Sequence, residues 1–349
     1  MIIRKILLLI AGVLVVLGAP PCLAQEALPE RAEVEVLPLE GPLAHANAEI
    51  SGLAWHGDQL LILPQFPRRF GDKRYGRLFA LPRQVIRDAL EGGSQQPLTP
   101  RPIRFADRGL RQTIENFEGY EALAVQGDRI FLAVESSPQS VMQGDVVAGQ
   151  LSREASFLKL NVDSMTELPS QTTIDNMAYE TLVTMDRHLL AIYEANGVNV
   201  NPNPAAYRID SSLDTMKALP SPTLEYRVTD ATALDEQGRF WVINFFYPGD
   251  HFLLNPAFDA ASPPGPSSSF PLELPSETPV ERLVELRYTR SGIVRTNTPL
   301  LPLEVLKALP ARNWEGLVRL SGSGFLIMTD TYPRTIAGFV PYNDEAERP

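Results

Sequence analysis

The sequence predicts an all-β fold, a β-propeller of five blades. Three observations carry the prediction. First, one hairpin pattern recurs five times, as EISGLAWHGDQLLILPQ (49–65), FEGYEALAVQGDRIFLAVES (117–136), NMAYETLVTMDRHLLAIYEAN (176–196), VTDATALDEQGRFWVINF (228–245) and NWEGLVRLSGSGFLIMTDT (313–331). Each copy has a polar opener, a strand, a turn, a strand and a polar closer. Second, the copies follow at an uneven period of roughly 50–85 residues, which marks a propeller. Third, their second strands are short apolar runs bounded by turns (RIFLAV, HLLAIY, RFWVIN, GFLIMT), as expected of strands covered on both faces. A sixth, divergent blade is the alternative count.

The elements follow in order. AEVEVLP (32–38) alternates apolar and acidic residues and reads as a lone strand. After the first hairpin come a basic loop, FPRRFGDKRYGR, a third strand at 78–81 and a helical period at 84–91 stopped by Gly92-Gly93. Residues 102–105 supply a fourth strand. The second unit runs through a loop-like 137–154 to a third strand at 157–162. The third unit continues with 206–209 and 224–228. The fourth carries a Pro- and Ser-rich insertion (248–279), expected to be a mobile loop outside the core, then outer strands at 283–288 and 292–295. The fifth unit gives 335–340 and then runs out of chain. Residues 32–38 can complete it, which closes the ring and removes a free edge.

Residues 1–24 read as a signal peptide. Arg4 and Lys5 precede an apolar core (6–17) and a small-residue end at Ala24. The core is shorter than the roughly 20 residues of a membrane span, so no integral span is expected after cleavage. An exported chain beginning at Gln25, periplasmic or extracellular, follows; acylation of Cys22 as a lipoprotein is the alternative. Cys22 is the single cysteine, so the mature chain has no disulfides. Residues 25–349 are read as one domain and a monomer. Without Arg4 and Lys5 the balance is 29 basic to 42 acidic residues, −13. Such a surface excludes nucleic acid and anionic membranes as partners, since both need basic patches.

Hairpin geometry places every opener (Ser51, Glu121, Glu180, Asp230, Glu315) and closer (Gln65, Glu135, Glu194, Asn244, Thr329-Asp330) at one edge of its blade. Around a ring this makes one end of the central channel rich in carboxylate. Such a cluster calls for protonation or for a cation. Glu121, Glu180, Asp230, Glu315, Glu135 and Glu194 are therefore candidate metal ligands, and all-oxygen donors suit Ca²⁺ rather than Zn²⁺. The alternative is that these acids cap backbone amides. Arg68, Arg69, Lys73 and Arg74 in the first blade's loop, with Arg334 in the fifth, are candidates for binding a small anionic substrate. The alternative there is a solvated surface loop. No GxSxG, P-loop or HExxH motif occurs, and Ser51 has no histidine partner.

The motifs ISGLAW, FEGYEAL, AYETL, DATAL and NWEGL, with the closing FLIMTDTYP, resemble those of the phytase-like (esterase-like activity of phytase) family of secreted bacterial β-propellers. A more distant resemblance is to gluconolactonase-type propellers, which hold a cation in the channel. The first resemblance spans nearly the whole mature chain. It implies an exported propeller and a calcium-assisted phosphoesterase or esterase, and Glu121, Glu180, Asp230 and Glu315 stand at its matching motif positions. In such a metal-assisted hydrolase one ring carboxylate acts as base, with Glu121 and Glu180 as the candidates. Propellers of that family are commonly six-bladed, and the five units counted here depart from that. The competing expectation is a non-catalytic binding propeller with a structural cation or an acidic capping ring.

Overall fold

The structure, a computed structural model, describes residues 31–93, 96–259, 279–304, 311–331 and 333–343. Residues 1–24, expected to be a signal peptide, fall outside these residues, as do positions 260–278 of the insertion. Among the described residues no helix is long and apolar enough to cross a membrane.

The chain opens with β1 (Glu35–Leu37). The first blade is β2 (Ile50–His56), β3 (Gln59–Pro64), β4 (Gly76–Pro82) and β5 (Arg101–Ala106). The second is β6 (Phe117–Gln126), β7 (Arg129–Ser136), β8 (Gln143–Leu151) and β9 (Phe157–Leu168). The third is β10 (Thr181–Met185), β11 (His188–Ile192), β12 (Ala205–Asp210) and β13 (Met216–Pro220). The fourth is β14 (Arg227–Ala231), β15 (Arg239–Phe246), β16 (Val280–Thr289) and β17 (Gly292–Arg295), with β18 (Leu301–Pro302) also on β16. The fifth is β19 (Trp314–Leu320), β20 (Gly324–Thr329) and β21 (Ala337–Pro341), and β1 adds its fourth strand by pairing Glu35 with Phe339. Blades one and two are also joined at the periphery, where β5 runs parallel to β9.

The inner strands touch in the cyclic order β2, β6, β10, β14, β19 and back to β2, so the ring closes with five blades. Its core is divided accordingly. There are five apolar clusters, one at each blade-to-blade interface. Strand alternation explains the division. Leu60 and Ile62 face the fifth blade while Leu61 and Leu63 face the second. A run such as LLIL is continuous in sequence because both faces of its strand are covered.

Three sequence expectations are corrected. Residues 137–154 contain a nine-residue strand, β8. Its glycines mark close packing: a Cβ on Gly144 would lie 2.6 Å from the Tyr179 ring, and one on Gly149 2.9 Å from Leu160. The outer strand of the third blade is β13, while 227–231 begin the fourth blade. Most of β13 is exposed, so burial left no apolar pattern there to read. The insertion does not lie wholly outside the core. Leu254 is buried against blades two and three, and the 257 amide donates to Glu225 Oε2 at 3.0 Å.

Candidate functional site

Each opener owes its place to the local irregularity of its strand. In four blades the register shifts at the opener: at Ile50/Gly52, Tyr120/Ala122, Val228/Ala231 and Trp314/Gly316. Ser51, Glu121, Asp230 and Glu315 are thus residues of β-bulges, and Glu180 immediately precedes β10. Simple pairing would set Glu121 opposite Val134; the bulge gives that place to Tyr120 and leaves Glu121 unpaired. A bulge re-aims a side chain and tightens the local bend. Here the bulges bring carboxyl groups from separate blades within electrostatic reach of one another at one end of the channel. Glu121 feels Asp330 and Glu194, Glu135 feels Glu121 and Glu194, and Glu315 feels Asp330 and Glu121. All but the half-buried Asp330 are buried, Glu194 completely.

Two of the openers are ties between blades. Ser51 Oγ donates to the Tyr120 carbonyl at 2.5 Å. Asp230 accepts from the amides of Ala231 (2.8 Å) and Leu317 (2.7 Å) and is also reached by the Leu53 amide. Its carboxylate therefore joins blades four, five and one through backbone donors. Among the closers, Asn244 does similar work, donating to the Glu225 and Arg227 carbonyls and accepting from Arg282 Nε.

The remaining carboxylates divide into two sectors. In the first, the guanidinium of Arg227 is buried among acids. Its Nε donates to Glu194 Oε1, its Nη2 lies 3.2 Å from Glu180 Oε1, and its Nη1 lies 3.8 Å from Asp250 Oδ2. Burial raises the Glu180 and Glu194 carboxyls above the usual range, and Arg227 pulls both back down. The second sector holds Glu121, Glu135, Glu315 and Asp330. Among the described residues no Lys or Arg forms an ion pair with any of them. Their partners are neutral: Gln65 Nε2 donates to Glu121 Oε1 at 2.9 Å, Asn313 Nδ2 to Glu315 Oε1, and Thr331 Oγ1 to Asp330 Oδ2. Burial, followed by the Asp330 and Glu194 charges, pushes Glu121 up to about 8 against the pull of Gln65. Glu135 and Glu315 are likewise held well above the usual carboxylate range, chiefly by burial, with the Arg227 charge pulling both down. Glu135 Oε1 and Asp330 Oδ1 are buried with no hydrogen-bond partner.

The donor chemistry of this second sector fits a hard cation, being all oxygen with unsatisfied lone pairs. The spacing limits the fit. Among the described residues no three His, Cys, Asp or Glu side chains converge closely enough to ligate one ion. A cation here would be held by one or two carboxylates, with water or ligand oxygens completing its shell, a mode common for Mg²⁺.

The basic loop is less open than the sequence suggests. Arg68 makes a two-pronged contact with the buried Asp107 (3.1 and 2.9 Å), and Arg69 pairs with Glu49. Arg74 lies over the Tyr75 ring at 5.1 Å. Lys73, Arg74 and Arg334 are exposed.

Sequence reasoning missed Arg227 and Asp250. A signal for Arg227 exists. The position three before the opener is Ala48, Glu118, Met177, Arg227 and Arg312 in the successive blades. Both arginines at this position clamp a carboxylate of the blade before. Arg227 takes Glu194, and the fully buried Arg312 takes Glu281 at 2.8 Å. Asp250 left no such signal, because it lies in the irregular insertion.

The chain matches no family model and no curated protein sequence. Solved structures share its overall course at low identity. A glycosyl hydrolase from Bacteroides ovatus is 11% identical, with 87% of this chain and 85% of that chain covered and a TM-score of 0.45. A hypothetical protein from Leishmania major is 12% identical over 93% and 94%, TM-score 0.47. The catalytic domain of a Coprinopsis cinerea α-L-arabinofuranosidase is 6% identical over 89% and 96%, TM-score 0.47.

Proposed function

We propose that the chain is an exported, cation-assisted hydrolase of a phosphoester or other ester, working at the channel end in the sector of Glu121, Glu135, Glu315 and Asp330. One observation carries this reading: three buried carboxyl groups and the half-buried Asp330 share a sector in which, among the described residues, none is ion-paired to a cationic side chain, and two of the four keep unpartnered oxygens. A bound Ca²⁺ or Mg²⁺ would supply the missing charge and polarise a substrate oxygen. Glu121, pushed up to about 8, exchanges its proton near neutral pH and suits the role of general base or acid. Glu180 is the weaker candidate base, since it faces Arg227. The motif resemblance to phytase-like propellers points to the same substrate class. Export rests on the 1–24 segment, and mass spectrometry of the secreted protein should find Gln25 at its amino terminus.

The second reading is a binding propeller whose acids are structural, and Asp230 favours it by spending its carboxylate on backbone amides. A screen of phosphomonoesters, carboxylic esters and glycosides, run with and without chelator, separates the two. Chelator-sensitive ester turnover that falls about 10²–10⁴-fold in Glu121→Gln supports the hydrolase. Turnover of glycosides alone would overturn the ester assignment. Cation binding without turnover of any class would establish the binding propeller.

A further inference from the structure

We infer that the second blade carries an anion-binding pocket of its own, which takes a small molecule bearing a multiply charged oxyanion of the phosphate type. The pocket arises from a local break in β-pairing. Along β8, Val147 and Ala148 are neighbours, but their partners on β9 are Met165 and Asn161. Val162, Asp163 and Ser164 are therefore extruded from the ladder. A cavity of about 430 Å³ opens beside them, within the range of small-molecule sites. Gly149 helps to line it, at a position where a Cβ would press on Leu160 and on the Lys159 carbonyl.

The register gathers positive charge around this cavity. Arg129 pairs with Gln150, and Gln150 pairs with Lys159, so the three side chains form one row across β7, β8 and β9. The parallel strand β5 sets Ala106 beside Lys159, and Arg108 lines the cavity two residues further on. Arg108 and Lys159 have no carboxylate partner among the described residues. Arg129 donates to Ser164 Oγ at 3.2 Å and likewise has no acid partner there. Asp163 is the one acidic group in the lining, which leaves three cations against one anion. In a chain with a formal net charge of −11, unpaired cations collected at a cavity are set for an anion. Arg129 begins β7 and Glu135 stands six residues along it, about 20 Å at roughly 3.3 Å per residue. The pocket is thus separate from the acidic channel end, and the inference does not depend on the function proposed above.

Calorimetric titration of the mature protein with inorganic pyrophosphate at physiological salt tests the inference, with phosphate and sulfate as parallel arms. Saturable pyrophosphate binding is expected. It should weaken at least tenfold in the Arg129→Gln/Lys159→Gln double variant and stay unchanged in Arg83→Gln, at a surface residue paired with Asp58 and part of neither site. Asp163→Asn should tighten it several-fold, a gain that misfolding would not produce. The site is overturned by absent saturable binding, by undiminished binding in a folded double variant, or by an Asp163→Asn variant that fails to bind more tightly. Sulfate binding as tight as that of pyrophosphate would overturn the phosphate assignment.

Discussion

Two sectors of one channel end solve the same electrostatic problem differently. Between blades three and four the buried carboxylates surround a guanidinium from the chain itself, Arg227. In the sector of Glu121, Glu135, Glu315 and Asp330 the hydrogen-bond partners among the described residues are amides and a hydroxyl, and Arg227 reaches Glu135 and Glu315 only through space, so more of the balance falls to protons or, on the function proposed here, to a bound ion. The first solution is permanent, because an arginine in a protein stays charged. The second depends on pH and on what is dissolved around the protein. A five-fold repeat with near-equivalent acids thus yields one sector paired to a fixed countercharge and one without such a pair, and a single side chain three residues before an opener makes the difference.

The largest expected effect comes from removing the fixed charge. Arg227→Met leaves Glu180 and Glu194 buried without their cation, and breaking a buried pair this way costs about 3–5 kcal/mol. Denaturant unfolding should show that loss. Adding Glu180→Gln and Glu194→Gln to the same chain should recover much of it, because the stranded charges go too. A single variant as stable as the parent would erase the contrast between the sectors.

Next in size is the response to a cation. A ligand bound only by the folded state stabilises by about 2.7 kcal/mol at a hundredfold excess over Kd. Calcium or magnesium should raise the melting temperature of chelator-treated protein accordingly. Glu135→Gln should abolish the rise and Glu180→Gln should leave most of it. Equal losses in both variants would mean that the ring acts as one site.

The pH dependence should be smaller and of definite sign. Glu121 titrates at about 8 in the folded protein against an ordinary value of 4.5. Between those values the folded state holds a proton that the unfolded state has released. The contribution of Glu121 to the stability of the metal-free protein should therefore be fully present below about pH 4.5 and be lost as pH rises through 8. Unfolding at pH 5, 6.5 and 8 checks this, and Glu121→Gln should flatten the slope. A stability that climbs over the same range would contradict the uncompensated state of this sector. The smallest effect belongs to a pair that water already screens. Arg69→Ala breaks the half-exposed contact with Glu49, and a cost of about 0–1 kcal/mol is expected.

The contrast also shows what the sequence could and could not convey. Five blades, their shared edge and the closing strand were legible because hairpins repeat and because covered strands stay apolar. The acids at the channel end were legible because openers and closers recur at fixed spacing. Their partition was not. Arg227 lies in an otherwise ordinary strand start, and its partners Glu180 and Glu194 are 47 and 33 positions away. The bulges were hidden too, since an extra residue changes register without changing composition. Strand β8 looks like a loop in sequence because its glycines and small residues answer to neighbouring bulk, which a linear pattern does not display.

The closing strand sets a timetable for the molecule's birth. Glu35 pairs with Phe339, a partner 304 residues later in the chain. At roughly 5–20 residues per second of synthesis, the amino-terminal strand waits about 15–60 s for its place. Until then the chain is an open arc. The apolar face of its first blade that will meet the fifth stays uncovered, and the edge of β21 does not yet exist. The ring can be completed only once the last blade has been made. Its newborn form is accordingly the state in which a chaperone finds an uncovered apolar face to hold.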